Sequence, residues 1–386
     1  MSQEKAPSQQ LKDQQFMRQV LELARQALGR TSPNPLVGAL VVTDDDRIVG
    51  QGCHTRAGRP HAEIIALEEA GELCRGATLY TNLEPCCHQG RTPACVDSII
   101  PAGIRRVVIA HPDPNPLVDC GGIQRLRDAG IEVVEGVLEA EARELNAPYL
   151  KYIIHELPYV TVKMAMSLDG KIATASGESK WITCDESRRR VHELRNQTDA
   201  IMVGIGTVLA DDPQLNVRIE TPDIRHPQKV IVDSKGRVPN RCRTITTDPR
   251  TIVAVASKAS PSRVKALESA GARVEIIDGS AVKVDVTRLM YRLAELEIMN
   301  VLIEGGGGLA ASLFEAGLVD RVVCFVAPVI IGGAEAPSPV GGRGVVQLSE
   351  AHYLTDVTYE QSGRDLMISG RVEDNGAPID ALNLKR

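Results

Sequence analysis

The sequence predicts an α/β protein built as two domains that meet near residue 157. Three observations carry this expectation. The chain has 386 residues, more than twice the commonest domain size of roughly 100–150. Short apolar runs alternate with helical patterns along both halves. Around Ala147–Pro158 the pattern changes register, and LPYVTVKMAMSLDGKIA opens a new strand. The expected domains are therefore 1–157 and 158–386. A composition of 43% hydrophobic and 24% charged residues lets each half bury an ordinary core.

The elements follow in order. Phe16, Met17, Val20, Ala24, Ala27 and Leu28 recur with a helical period across residues 12–29,. After the turn-rich TSPNP comes LVGALVVT, a run suited to a buried strand. HAEIIALEEAGEL reads as a helix and ATLYTNLEP as a strand stopped by its proline,. Helical VDSIIPAG, strand RRVVIAH, helical IQRLRDAG and strand IEVVEG complete the first half. Such alternation argues for a sheet with helices on both faces. In the second half strands are expected at DAIMVG, KVIVD, TIVAVA, ARVEII, NVLIEG and RVVCFVAP, with helices between several of them.

Composition removes several function classes. Net charge is −6, aromatic content is 3% and there is a single Trp. Apart from Arg188-Arg189-Arg190 there is no basic block, so no nucleic-acid partner is expected. No run approaches the roughly 18 apolar residues of a membrane span. The polar start MSQEKAPSQQLKDQQ lacks the apolar stretch of a signal peptide. A cytoplasmic protein with reduced thiols is the expectation. Of nine cysteines, Cys74, Cys86, Cys87 and Cys95 crowd together, which reads as metal chemistry.

PHAE places His61 and Glu63 two apart at a helix start, and EPCCHQGRTPAC places Cys86 and Cys95 after a strand ending at Pro85. Zinc deaminases carry H-x-E followed by P-C-x-x-C. The first part and Pro85-Cys86 match, but eight residues separate the two cysteines here. A loop through Gly90 and Pro93 would bring Cys95 back to the metal. One imidazole and two thiolates leave the fourth tetrahedral position for water. Zinc lowers that water's pKa towards neutrality, and Glu63, beside the metal but not bound to it, moves the protons. A closed structural site, with Cys87 or Cys74 as fourth ligand, is the competing reading. Cys74 reads as core. Cys87 and His88 stay open between a packed thiol and a substrate-facing side chain.

SPNPLVG, GCHTRAGRPHAE, TNLEPCCHQGRTPAC and HPDPNP resemble the riboflavin-biosynthesis pyrimidine deaminases, members of the cytidine-deaminase-like superfamily of three-layer domains. The longer cysteine spacing belongs to that family. The resemblance implies a diaminopyrimidinone substrate bearing a ribosylamino 5-phosphate, whose ring amine is removed. It also implies that Asn34 helps hold the pyrimidine, although an Asn between two prolines equally caps a turn.

The second half carries its own signals. Lys163 sits inside an apolar strand, where a lysine more often snorkels outward than serves a site. Trp181 lies in the polar GESKWIT loop, either covering a flat ligand or packed on the surface. Arg195 and Arg218 offer a bidentate phosphate clamp or exposed charge. NVLIEGGGGLAASLFEAGL runs a strand through four glycines into a helix, a phosphate-loop pattern, but lacks the acidic residue of a dinucleotide fingerprint.

KMAMSLDGKIA, SKWIT, VGIGTVLADDPQLNVR and LIEGGGGLAASL resemble the reductase domain fused to that deaminase in the bacterial bifunctional enzyme. The resemblance implies a dihydrofolate-reductase-like α/β fold that uses NADPH to reduce the ribosyl group to ribityl. By it, Ala165, Trp181, Thr207, Asp211, Gly306, Gly307, Gly308, Leu309, Ala310, Ala311 and Ser312 contact the cofactor. Ser179, Arg195, Leu215, Arg218 and Glu304 contact the sugar phosphate, and Lys163 becomes an active-site residue. Related enzymes also imply a homo-oligomer. Two alternatives remain: a single-activity cytidine- or guanine-type deaminase with a degenerate second domain, and a zinc-stabilised ligand sensor.

Overall fold

The structure is a computed structural model that describes residues 8–88, 93–115, 121–221, 223–279 and 282–373. It divides into two compact units, Met1–Leu157 and Pro158–Arg386.

Among the described residues the first unit holds five strands: β1 (Gly38–Val42), β2 (Ile48–Cys53), β3 (Thr78–Thr81), β4 (Arg106–Ile109) and β5 (Glu132–Val134). Their order is β2-β1-β3-β4-β5. β1 runs antiparallel to β2 and β3, whereas β3, β4 and β5 are parallel. On one face, helix Gln9–Arg25 buries Phe16, Met17, Val20 and Leu21 against Leu40, Val42, Tyr80 and Val108. This helix begins at the Ser8 cap and stops earlier than the periodicity to residue 29 suggested, in a run of turns. On the other face lies helix Ala62–Ala70. Strand β2 is not legible as an apolar run because Gly52 replaces a side chain there. A Cβ at Gly52 would stand 2.0 Å from the Ala62 carbonyl oxygen, so only glycine lets this helix lie on the strand.

The described residues of the second unit build one nine-stranded sheet, formed by β6 (Tyr159–Ser167), β7 (Ala200–Gly204), β8 (Gln228–Val232), β9 (Ile252–Ala256), β10 (Arg273–Ile277), β11 (Asn300–Glu304), β12 (Arg321–Ala327), β13 (Leu354–Ser362) and β14 (Asp365–Val372). The order is β10-β9-β8-β7-β11-β6-β12-β14-β13. All strands are parallel from β10 through β12, and the β13–β14 hairpin closes one edge antiparallel. Parallel strands covered on both faces read as apolar runs, which is why β7–β9, β11 and β12 are legible, whereas β10 is a half-exposed edge strand carrying Arg273 and Glu275. The hairpin has no such run, since β13 is largely exposed. Among the described residues no helix is long and apolar enough to cross a membrane.

Candidate active sites

In the first unit, His61 caps helix Ala62–Ala70 and Cys95 caps the short helix Val96–Ile99. Cys86 follows the end of the β3 segment. Their ligand atoms converge: His61 Nδ1 lies 3.1 Å from Cys95 Sγ and 3.5 Å from Cys86 Sγ, and the two sulfurs are 3.5 Å apart. A tetrahedral zinc with bonds of about 2.3 Å to sulfur and 2.05 Å to nitrogen sets these edges at about 3.5–3.8 Å. The triangle therefore needs only a small expansion to hold the ion. The backbone N–H of Cys95 donates to Cys86 Sγ at 3.3 Å. That thiol is drawn down to about 4 by its hydrogen bonds with Cys95 and then His61, while Cys95 is raised by its partner.

Among the described residues no fourth His, Cys, Asp or Glu joins the triangle. Cys74 is core, as expected, with its thiol bonded to the Leu67 carbonyl. Cys87 is disulfide-bonded rather than the packed free thiol that the composition suggested. It stands outside the ligand group, which keeps the site open. Glu63 is 3% exposed, and its Oε2 has no hydrogen-bond partner. Burial pushes the carboxyl up to about 7, and a nearby dication would draw it back down. His88 holds a buried Nδ1 without a partner, at the border of residues 89–92, which lie outside the described residues.

Asn34 sits after the cis Ser32–Pro33 peptide. Its Nδ2 lies 3.0 Å from His54 Nε2, and His54 Nδ1 lies 3.1 Å from the Pro60 carbonyl. That carbonyl fixes the tautomer: Nδ1 carries the proton, Nε2 accepts from the Asn34 amide, and the Asn34 Oδ1 is left for a ligand. His54 is buried, and burial lowers its pKa. Sequence reasoning missed it; the only clue was a histidine directly after β2.

The second unit opens a cavity of about 980 Å³ at the carboxyl ends of β6, β7 and β11, where ligands bind in open parallel sheets. Lys163, Ala165, Ser179, Trp181, Arg195, Thr207, Asp211, Leu215, Arg218, Glu304, Gly306 and Ala310 all line it. Lys163 on β6 stands opposite Glu304 on β11 in register. It is therefore a cavity residue rather than a snorkelling one. Burial lowers its pKa, and the Glu304 carboxylate opposes that.

Arg195 is held within the chain on a carboxylate. Its Nε and Nη2 bind the two Glu304 oxygens at 2.6 and 2.7 Å, and Nη1 donates to the Asn216 carbonyl at 3.0 Å. These bonds commit three of the five guanidinium N–H donors and leave two for a ligand. Burial pushes Glu304 up, but Arg195 outweighs it and holds the carboxyl down to about 2. Arg218 and Arg243 line the same cavity as exposed cations.

His192 was missed, although it stands one turn before Arg195 on helix Asp185–Asn196, the spacing that puts two side chains on one face. Its Nδ1 accepts the Arg218 backbone N–H at 3.3 Å. Burial, then Arg195 and Arg218, push it down to about 4. The ring is thus neutral, with its proton on Nε2. Lys180 was missed too, and it pairs with Asp211 at 3.3 Å. Trp181 is 66% exposed, with the Arg188 guanidinium 4.6 Å over its ring.

The glycine run divides its labour. Gly305 and Gly306 take φ of +72° and +71° beside Thr207. Gly307 begins helix Gly307–Glu315 and packs under another loop, while Gly308 is exposed. Gly307, Gly308, Leu309, Ala311 and Ser312 do not line the cavity. Leu309 and Ala311 face the core, and the Leu309 N–H donates to the Gly306 carbonyl at 3.1 Å.

Residues 10–111 match the family described as cytidine and deoxycytidylate deaminase zinc-binding region, and residues 158–368 match the RibD C-terminal domain. A riboflavin biosynthesis protein RibD of Aquifex aeolicus is 44% identical over 92% of this chain and 97% of its own. That of Escherichia coli K12 is 41% identical over 90% and 94%. The solved RibD of Acinetobacter baumannii superposes with a TM-score of 0.85 at 38% identity, covering 95% of this chain and all of that one. A Thermotoga maritima protein described as a diaminohydroxyphosphoribosylaminopyrimidine deaminase/5-amino-6-(5-phosphoribosylamino)uracil reductase gives 0.82 at 37%, with the same coverage. Fold, sites and matches together define a two-domain enzyme, a zinc-type deaminase followed by a reductase. The chain belongs to the riboflavin biosynthesis RibD family.

Proposed function

We propose that the chain carries out two successive steps on one riboflavin precursor. The first removes the ring amine of a diaminopyrimidinone bearing a ribosylamino 5-phosphate. The second uses NADPH to reduce the ribosyl group of the deaminated product to ribityl. The observation that carries the first step is the three-ligand triangle beside the orphaned Glu63 oxygen. His61, Cys86 and Cys95 would hold zinc, which when bound makes water a nucleophile at neutral pH. Glu63 would take a proton from the attacking water and pass it to the departing amine. Asn34, oriented by His54, would present its Oδ1 to the pyrimidine, and His88 would face the same ligand.

For the second step, Lys163 and Glu304 would meet the ribosyl hydroxyls. Arg218, with Arg243 beside it, would take the phosphate, and Ser179 and the Leu215 backbone would complete that pocket. The nucleotide would lie along Ala165, Trp181, Thr207, Asp211 and the first turn from Gly306. NADPH is preferred by family alone. The setting is a cytoplasmic enzyme on a small substrate, with no nucleic acid or membrane partner.

The test measures zinc content, ammonia release from the diaminopyrimidine phosphate, and NADPH oxidation by the deaminated product. Wild type should score on all three. Glu63→Gln should keep its zinc and its NADPH oxidation yet release ammonia about 10²–10⁴-fold more slowly. Undiminished ammonia release would remove Glu63 from the chemistry. NADPH oxidation that ignores the deaminated product would favour a single-activity deaminase.

A further inference from the structure

Residues 328–342 run without regular structure from the end of β12 across helix Gly307–Glu315. One end of this strap lies on the helix. The Gly341 N–H donates to the Gly307 carbonyl at 2.9 Å. A Cβ at Gly307 would stand 2.8 Å from the Ser338 carbonyl oxygen and 2.9 Å from the Gly341 nitrogen. Pro337 and Pro339, on either side of Ser338, line the cavity.

The other end is stapled to the turn after β6. Leu168 N–H donates to the Val329 carbonyl at 2.8 Å, and Ile172 N–H to the Pro337 carbonyl at 3.0 Å. Lys171 Nζ reaches the Ala336 carbonyl at 3.2 Å. The charged clasp is Asp169, whose Oδ1 accepts Ser167 Oγ at 2.6 Å and the Ile331 N–H at 3.0 Å. Its Oδ2 accepts the Gly332 N–H at 2.7 Å. Three donors on one carboxylate hold it down to about 2. Asp169 itself does not line the cavity.

We propose that Asp169 is a positioning residue for the nucleotide: by clasping Ile331 and Gly332 it sets where the strap lies over the first turn of helix Gly307–Glu315. The proposal rests on the reductase reading above. Hydrogen bonds to a charged acceptor are stronger than neutral ones. An asparagine of the same shape loses that charge and turns a donor towards one of the N–H groups.

Trp181, the chain's one tryptophan, lines the cavity and reports binding by fluorescence. NADPH is titrated into the full-length zinc-loaded protein, wild type, Asp169→Asn and Lys171→Met. Kd and KM for NADPH should rise about tenfold in Asp169→Asn and less in Lys171→Met. The kcat at saturating NADPH, the KM for the pyrimidine and ammonia release should hold. Equal Kd in wild type and both variants overturns the clasp, as does a fall in kcat without a change in KM. A wild type that binds no NADPH overturns the reductase reading itself.

Discussion

At the scale of single residues, Lys163, Arg195 and Glu304 show where sequence stops and register begins. A lysine in an apolar strand reads as a snorkelling side chain until the sheet sets Glu304 beside it. Arg195 reads as a phosphate clamp or an exposed charge, and that same carboxylate takes its Nε and Nη2. His61, Glu63, Cys86 and Cys95 were legible because their chemistry is carried by local spacing. His54 and His192 were not, since their meaning lies in Asn34 and Arg218, 20 and 26 positions away. The buried triad also sets a pH dependence. Glu304 is held at about 2 in the folded chain against an ordinary 4.5. Between those values the unfolded chain binds a proton that the folded chain refuses, so stability rises with pH there. The contribution is full above about 4.5 and is lost as pH falls towards 2, on the order of 3 kcal/mol. Glu304→Gln stands in for the protonated acid and leaves Arg195 buried without its counter-charge, so it should remove this dependence and cost about the same few kcal/mol at neutral pH. Denaturant unfolding of the second unit from pH 6 to 3, taken as wild type minus variant, measures it. A difference that stays flat would show that the pair does not hold the fold.

At the scale of elements, legibility followed burial. β1, β3, β4, β7–β9, β11 and β12 are largely buried and read as apolar runs. β2 and the β13–β14 hairpin do not. β13 is an exposed edge, and β2 uses glycine where a side chain would have marked it. That glycine bears on the deaminase site. The Ala62 carbonyl, 2.0 Å from a Cβ at Gly52, belongs to the residue between His61 and Glu63. Gly52→Ala must push strand and helix apart by an ångström or more. Misplacement on that scale is worth about 10²-fold in rate. Ammonia release should fall at least that far, while NADPH oxidation by the same sample stays at wild-type level. Wild-type ammonia release from a folded Gly52→Ala chain would mean that the helix start is not held by β2.

At the scale of the whole molecule, the two units keep separate cores. Phe16, Met17, Val20, Leu40 and Tyr80 pack in the first, and Ile201, Ile231, Val253 and Leu267 in the second. Every candidate zinc ligand lies in the first unit, and every residue lining the 980 Å³ cavity lies in the second. Metal binding is folding free energy only for the unit that contributes ligands. Chelation should therefore abolish ammonia release and lower the unfolding temperature of the first unit. The Cys86 and Cys95 thiols would be left packed 3.5 Å apart, without the ion that holds both as thiolates. NADPH oxidation by pre-deaminated substrate should persist, and the second unit's unfolding should not move. Adding zinc back should restore ammonia release and the first transition together. Calorimetry of the chelated and reconstituted protein, with both assays on each sample, decides it. Loss of NADPH oxidation in step with the metal would mean that the second site depends on the first, and the separation of cores would then not extend to function.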